Sequence, residues 1–268
     1  MQTGGNTVLL AVDIGNTNVT LGLLIDGEWA ATWRARTVHD KMPDEYAVLV
    51  NNFLQARSID YAQVSAVVIS SVVPPLTRTF VELSQRYLEV EPLVVSPAIR
   101  LGIRIDIDQP EQAGADRLVN AVAVTRLYGV NAIVIDFGTA TTFDIVSADG
   151  AYRGGSIAPG IGVAHDALVS RAAQLHEINL VPPPSPIGRN TIHAMQSGIF
   201  WGYVALIEGL VARLKTAMRE QGMGDPIRVI ATGGLASLFD QHSAVIDELA
   251  PDLTLDGLRI IHELNAPG

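Results

Sequence analysis

Two short segments pair an aspartate with a glycine turn and a cluster of small polar side chains. Asp13-Ile14-Gly15-Asn16-Thr17-Asn18 follows the apolar run Val8 to Val12 and leads into Val19 and Thr20. Asp136-Phe137-Gly138-Thr139-Ala140-Thr141-Thr142 follows Ala132 to Ile135 in the same manner. The chemistry such a segment can do is phosphate handling. Glycine lets the backbone turn tightly. Asn and Thr side chains with turned amides form an anion-binding concavity. An aspartate that ends a buried strand faces a bound cation, Mg²⁺ in the case of Asp13. Each segment also has a plainer reading. The first can be a polar hairpin turn whose aspartate caps amides, and the second a threonine-rich strand. Recurrence favours the phosphate reading, because a plain turn has no need to be repeated with its aspartate intact.

Two further clusters can serve the same chemistry. Gly114-Ala115-Asp116-Arg117 opens an amphipathic helical pattern running to about Tyr128. Asp116 there can accept the proton of a substrate hydroxyl, and Arg117 can hold a carboxylate or phosphate in fork geometry. The alternative is an acidic residue placed in a first helical turn for the helix dipole. Thr232-Gly233-Gly234-Leu235 stands between a strand and a helix. Its glycines allow a flat ligand such as a nucleobase and ribose to approach the backbone, or simply make a tight turn. Ser197, Gly198, Gly202, Ala205 and Gly209 line one face of a long helix. That face suits either packing within the chain or a subunit interface.

Composition narrows the choices. The chain has 268 residues, 48% hydrophobic and 17% charged, enough for a sizeable core. Its net charge of −10 argues against a nucleic-acid footprint. Only Lys41 and Lys215 are lysines, and neither stands beside a glycine-rich turn, so no Walker-type phosphate loop is present. There is no GxGxxG for a dinucleotide and no paired histidines for zinc. The absence of cysteine excludes disulfides and thiolate sites. Apolar runs such as Val8 to Val12 are too short for a bilayer. The N-terminal MQTGGNT lacks the basic and apolar regions of a signal peptide. A cytoplasmic protein, without nucleic-acid or membrane partners, is expected.

The elements that position these clusters also repeat. Strand patterns at 19–25 and 29–36, a helix at 43–57, a strand at 66–73, a helix after Pro74-Pro75 and a short strand at 92–96 follow Asp13. After Asp136 come strands at 142–146 and 151–157, helices from about Gly160 and over 190–220, a strand at 227–231 and a helix beyond Gly234. Pro182 to Pro186 reads as a loop within this half. Asp13 and Asp136 lie 123 residues apart, so the repeat is a duplicated domain and not a solenoid. The expected fold is a mixed α/β one in two lobes, 1–113 and 114–268.

Taken together, the segments resemble type III pantothenate kinases, of the acetate and sugar kinase, heat-shock ATPase and actin superfamily. DIGNTN, SSVVPP at Ser70 to Pro75, GADR, DFGTATT, GGSIAPG, IGRNT, MQSG and ATGG match the family pattern in order over nearly the whole chain. The resemblance implies a two-lobed actin-like (ribonuclease H-like) fold with duplicated mixed-sheet domains. It implies ATP-dependent phosphorylation of pantothenate to 4'-phosphopantothenate, the first step of coenzyme A biosynthesis. ATP would contact Asp13, Ile14, Gly15, Asn16, Thr17, Asn18, Val19 and Thr20, together with Thr139, Gly233 and Gly234. Pantothenate would contact Gly114, Ala115, Asp116, Arg117 and Thr191, with Asp116 as the proton acceptor. Asp13 would face Mg²⁺, directly or through water. Asp136 would hold a monovalent cation, K⁺ or NH₄⁺. A homodimer is implied as well. Ile107 stands where the family usually has a tyrosine against the substrate. Alternatives on the same fold are another small-molecule phosphotransferase, a phosphatase or a non-catalytic regulatory relative.

Overall fold

The computed structural model describes residues 7–172 and 174–266; the start of the MQTGGNT segment, residues 1–6, lies outside the described residues. The chain divides into two compact units, residues 7–126 with 253–266, and residues 127–252.

In the first unit, β1 (Val8–Ile14), β2 (Asn18–Ile25) and β3 (Glu28–Arg36) form an antiparallel meander. Helix α1 (Pro43–Gln55) leads to β4 (Ala66–Ser71), parallel to β1. Helix α2 (Pro74–Leu83) leads to β5 (Leu93–Val94), parallel to β4. The sheet order is β3-β2-β1-β4-β5. Strand β1 reads as an unbroken apolar run because both its faces are covered. Val8, Leu10, Val12 and Ile14 share a core with Tyr46, Val50 and Leu54 of α1 and Leu76, Phe80 and Leu83 of α2. The other face, with the buried Leu9, Ala11 and Val68, lies under the last helix of the chain.

That unit is completed by β6 (Arg104–Ile105) and α3 (Ala115–Leu127). Helix α3 is not the amphipathic helix that its sequence pattern led one to expect. It is buried at every position from Leu118 to Val124. One partner is the last helix, α7 (Leu253–Asn265). A Cβ built on Gly257 would stand 2.3 Å from the Val119 carbonyl oxygen, and the Thr254 hydroxyl donates to Asn120 Oδ1 at 2.8 Å. The missing side chain at Gly257 lets these two helices approach closely. Helix α7 also reaches Trp29, whose indole nitrogen donates to Asp256 Oδ1 at 3.0 Å.

The second unit repeats the topology. β7 (Asn131–Phe137), β8 (Ala140–Ser147) and β9 (Ala151–Pro159) form an antiparallel meander. Helices α4 (Ile161–Arg171) and α5 (Thr191–Glu220) follow, then β10 (Ile227–Gly233), parallel to β7. Helix α6 (Ala236–Asp240) leads to β11 (Glu248–Leu249), parallel to β10. Within the unit the strand order is β11-β10-β7-β8-β9, the counterpart of β5-β4-β1-β2-β3. Helix α5 starts where Asn190 caps it, its side-chain oxygen accepting from the His193 amide at 2.9 Å. By length and composition α5 would be long and apolar enough to cross a membrane. One of its faces, with Phe200, Val204, Ile207 and Val211, is built into the core over β7 and β10.

The lobes drawn from the repeat, 1–113 and 114–268, differ from the two units at both ends. The Gly114–Arg117 helix precedes the second aspartate strand in sequence, yet its packing on α7 places both helices with the first unit. Neither α7 nor β11 was among the expected elements.

Candidate active site

The first turn closes at the end of β1. The Gly15 amide donates to the Asn18 carbonyl at 2.9 Å. Asn16, Thr17 and Asn18 are exposed at its tip, while Ile14 and Val19 are fully buried. Within Asp13 to Thr20, those two residues can offer a ligand their backbone only. Thr37, at the end of β3, clasps the turn from below. Its hydroxyl donates to the Gly15 carbonyl at 2.6 Å and its amide to the Thr17 carbonyl at 2.9 Å. No motif in the sequence marked Thr37, since its role comes from strand pairing 20 residues away.

The second turn closes between the Gly138 amide and the Ala140 carbonyl at 3.1 Å. It is one residue shorter than the first. Asp13 pairs across the sheet with Thr20, whereas Asp136 pairs with Thr142. On their other sides Asp13 pairs with Ser70 of β4, and Asp136 with Thr232 of β10. Each sheet therefore carries a row of hydroxyl, carboxylate and hydroxyl across three strands, Thr20-Asp13-Ser70 and Thr142-Asp136-Thr232. Paired residues in a sheet point to the same face. In each row the threonine beside the turn and the aspartate are half-buried, while Ser70 and Thr232 are buried.

Glycines press against the second row. Gly233 has φ +92°, and a Cβ there would stand 2.6 Å from Asp136 Oδ1 and 2.7 Å from the Phe137 amide nitrogen. A Cβ on Gly160 would stand 2.4 Å from the Thr139 carbonyl, which accepts the Gly160 amide at 3.0 Å. Phe137 anchors the strand end, stacked on Phe239 of α6 at 4.9 Å between centroids. The structure thus brings Asp136, Thr139 and Gly233 together in one unit. Gly234 lies exposed beside them. Two strand positions before Asp136 along β7, β8 contributes a fully buried Asp144, which accepts from Thr142 at 2.8 Å and Tyr152 at 3.0 Å. Its only sequence signal was an acidic residue inside an apolar strand.

Asp116 sits in the first turn of α3 and folds back over Gly114. One of its oxygens accepts the Arg117 amide at 2.8 Å, and a Cβ on Gly114 would stand 2.6 Å from it. Glycine at 114 is what lets the carboxylate take this position. Ala115, Arg117 and Ile107 of the same unit are half-buried. Thr191, at the first turn of α5, lines an apolar cavity of about 630 Å³ with Leu168, Leu175, Met195, Gly198 and Tyr203. Burial pushes the Tyr203 phenol pKa up, against a smaller lowering by its hydrogen bond with Thr141. Nothing lies within 4 Å of a Cβ built on Gly198 or Gly202. Among the described residues, the small-residue face of α5 is therefore not packed against another element at these two positions.

Residues 9–213 match the family model for type III pantothenate kinase. The chain belongs to the type III pantothenate kinase family. A type III pantothenate kinase of Roseiflexus sp. (strain RS-1) is 47% identical over 96% of this chain and 99% of its own length. The fold extends further than the family. Component A of (R)-2-hydroxyglutaryl-CoA dehydratase from Acidaminococcus fermentans superposes with a TM-score of 0.55 at 13% identity, covering 97% of each chain. A protein of Campylobacter jejuni, named as a proposed Baf family transcriptional activator, gives a TM-score of 0.61 at 19% identity over 96% of this chain and 98% of its own. The type III pantothenate kinase fold seen here is the duplicated actin-like one expected, with a meander, two parallel strands and their helices in each unit.

Proposed function

We propose that this chain transfers the γ-phosphoryl group of ATP to the primary hydroxyl of pantothenate, giving 4'-phosphopantothenate for coenzyme A biosynthesis. The observation that carries this reading is Asp116, folded over Gly114 at the head of α3, in a chain of the type III pantothenate kinase family. Phosphoryl transfer passes through a loose transition state, so the protein mainly positions groups and stabilises charge. The exposed Asn16, Thr17 and Asn18 side chains and the turned amides around Gly15 suit phosphate oxygens. Thr139 suits them on the second turn, and Gly233 and Gly234 leave room for the nucleoside. Asp116 accepts the hydroxyl proton of the acceptor. Gly114, Ala115, Arg117 and Thr191 are the residues of the reading that select pantothenate, with Ile107 among them in place of the family's usual tyrosine.

The donors fit two cations. A single carboxylate such as Asp13 suits Mg²⁺, which keeps water and phosphate oxygens in most positions of its shell. Bound Mg²⁺ neutralises charge on the transferring phosphates. Asp136, with Thr142 and Thr232 beside it, offers the oxygen-only surroundings that a monovalent cation such as K⁺ takes. Pantothenate-dependent ADP release, titrated with K⁺, tests both statements. Turnover should require pantothenate and fall when Na⁺ replaces K⁺. ADP release indifferent to pantothenate would point to another acceptor or to a phosphatase.

A cytoplasmic homodimer completes the reading. Its support is the family, the open Gly198 and Gly202 face of α5, and exposed apolar side chains nearby at Ile187, 78%, and Ile192, 56%. Light scattering should return twice the chain mass, and a monomer at assay concentration would reject it.

A further inference from the structure

Buried hydroxyls in folded proteins nearly always have a hydrogen-bond partner. Among the described residues, Ser70 Oγ is one of three buried side-chain polar atoms without one, with Thr125 Oγ1 and Trp201 Nε1. Ser70 alone of these stands beside a candidate phosphate residue. Its register partner on β1 is Asp13, and Ser70 is 0% exposed. The neighbouring Ser71 makes the contrast plain. Its hydroxyl accepts from the Val73 amide at 3.1 Å and from Thr77 at 2.7 Å, and so fixes the start of α2. Packing does not require an oxygen at position 70. The strand before it is Ala66, Val67, Val68 and Ile69, and an orphaned hydroxyl in such a setting is costly. The second unit places a hydroxyl at the same point, Thr232 beside Asp136.

We propose that Ser70 is a positioning residue for the first phosphate turn: its hydroxyl holds the Asp13 carboxylate, directly or through one buried water, when Mg²⁺ and nucleotide are bound. This rests on the kinase reading above. Neighbouring strands lie about 4.8 Å apart, so side chains paired across them are within reach of a single hydrogen bond or one water. A buried water needs two to four polar partners. Asp13 and Ser70, on one face of two adjacent strands, supply two. A carboxylate that faces a cation is oriented by such an outer partner, and loss of one typically costs about 10- to 100-fold in metal affinity or activity.

The test compares wild-type protein with Ser70→Ala and Ser70→Thr by the ADP-induced rise in melting temperature, titrated with Mg²⁺. The alanine variant should melt, without ligand, at or above wild type, because the orphan is gone. Its Mg²⁺ midpoint should rise about tenfold, with the effect of ADP in chelator unchanged. The threonine variant should restore the midpoint, since the equivalent residue of the second unit is already a threonine. A Ser70→Ala midpoint equal to wild type overturns the inference, as does a threonine variant that behaves like alanine. Should the alanine variant not fold, Ser70→Cys, similar in size and a much weaker donor, serves in its place. A wild type with no Mg²⁺-dependent ADP shift overturns both this inference and the nucleotide reading. Lack of turnover with pantothenate rejects the acceptor alone and leaves the Mg²⁺ comparison standing.

Discussion

Asp116→Asn is expected to lower kcat by about 100- to 10,000-fold, the usual worth of a positioned general base. The loss should fall on the chemical step alone. The Asp116 oxygen that accepts the Arg117 amide at 2.8 Å can be replaced by the amide oxygen of asparagine. The first turn of α3 then keeps its hydrogen bond, and Gly114 still leaves room for the side chain. What asparagine cannot do is take a proton. The melting temperature should therefore match wild type, and the affinity for Mg²⁺–ADP should stay within a few-fold of it. Steady-state kinetics with saturating pantothenate, alongside nucleotide binding by calorimetry, separate the two. Near-normal turnover in this variant would remove Asp116 from the chemistry. A variant that no longer binds ADP would show instead that its carboxylate is structural.

Gly233→Ala is expected to harm both stability and turnover, although it adds a single methyl group. Its φ of +92° is a conformation that L side chains rarely adopt. The added carbon would stand 2.6 Å from Asp136 Oδ1 and 2.7 Å from both the nitrogen and oxygen of Phe137. Backbone strain of this kind costs about 1–3 kcal/mol, which lowers Tm by about 2–12 °C in a chain of this size. The carboxylate must also move, so turnover should fall at least about tenfold through loss of the Asp136 geometry. Gly224→Ala is the control, because a Cβ there meets nothing within 4 Å. Differential scanning calorimetry and the ADP-release assay read the pair. Equal behaviour of the two variants would mean that the strand end yields to the methyl group.

Much of this site could be read from residue order, and the remainder depends on pairing at a distance. Asp13 and Asp136 announced themselves as strand ends because each follows an apolar run and precedes a glycine. The helix expected over 190–220 begins as α5 at Thr191, with Asn190 as its cap. The one-residue difference between the two turns was hidden, since aligning Gly15 with Gly138 does not reveal that Thr20 corresponds to Thr142. Thr37 and Ser70 were hidden for the same reason: what matters is the residue opposite, on another strand. Helix α3 was misread as amphipathic because sequence shows one neighbour at most, while Leu118 to Val124 is enclosed all round. Helix α7 was legible and passed over. Leu253, Ile260 and Ile261 recur at helical spacing and are buried, as Leu255 and Leu258 are.

The return of α7 to the first unit has a consequence for how the protein is made. A ribosome delivers the meander of β1, β2 and β3 first, yet the face that carries Leu9, Ala11 and Val68 waits for residues 253–266 to leave the exit tunnel. Residues 127–252 form a continuous stretch that can close on itself earlier. Nascent chains usually settle from the N-terminus onward. Here the oldest strands are the last to be sealed, and through that interval the newborn chain shows a chaperone an apolar sheet whose cover is still being translated.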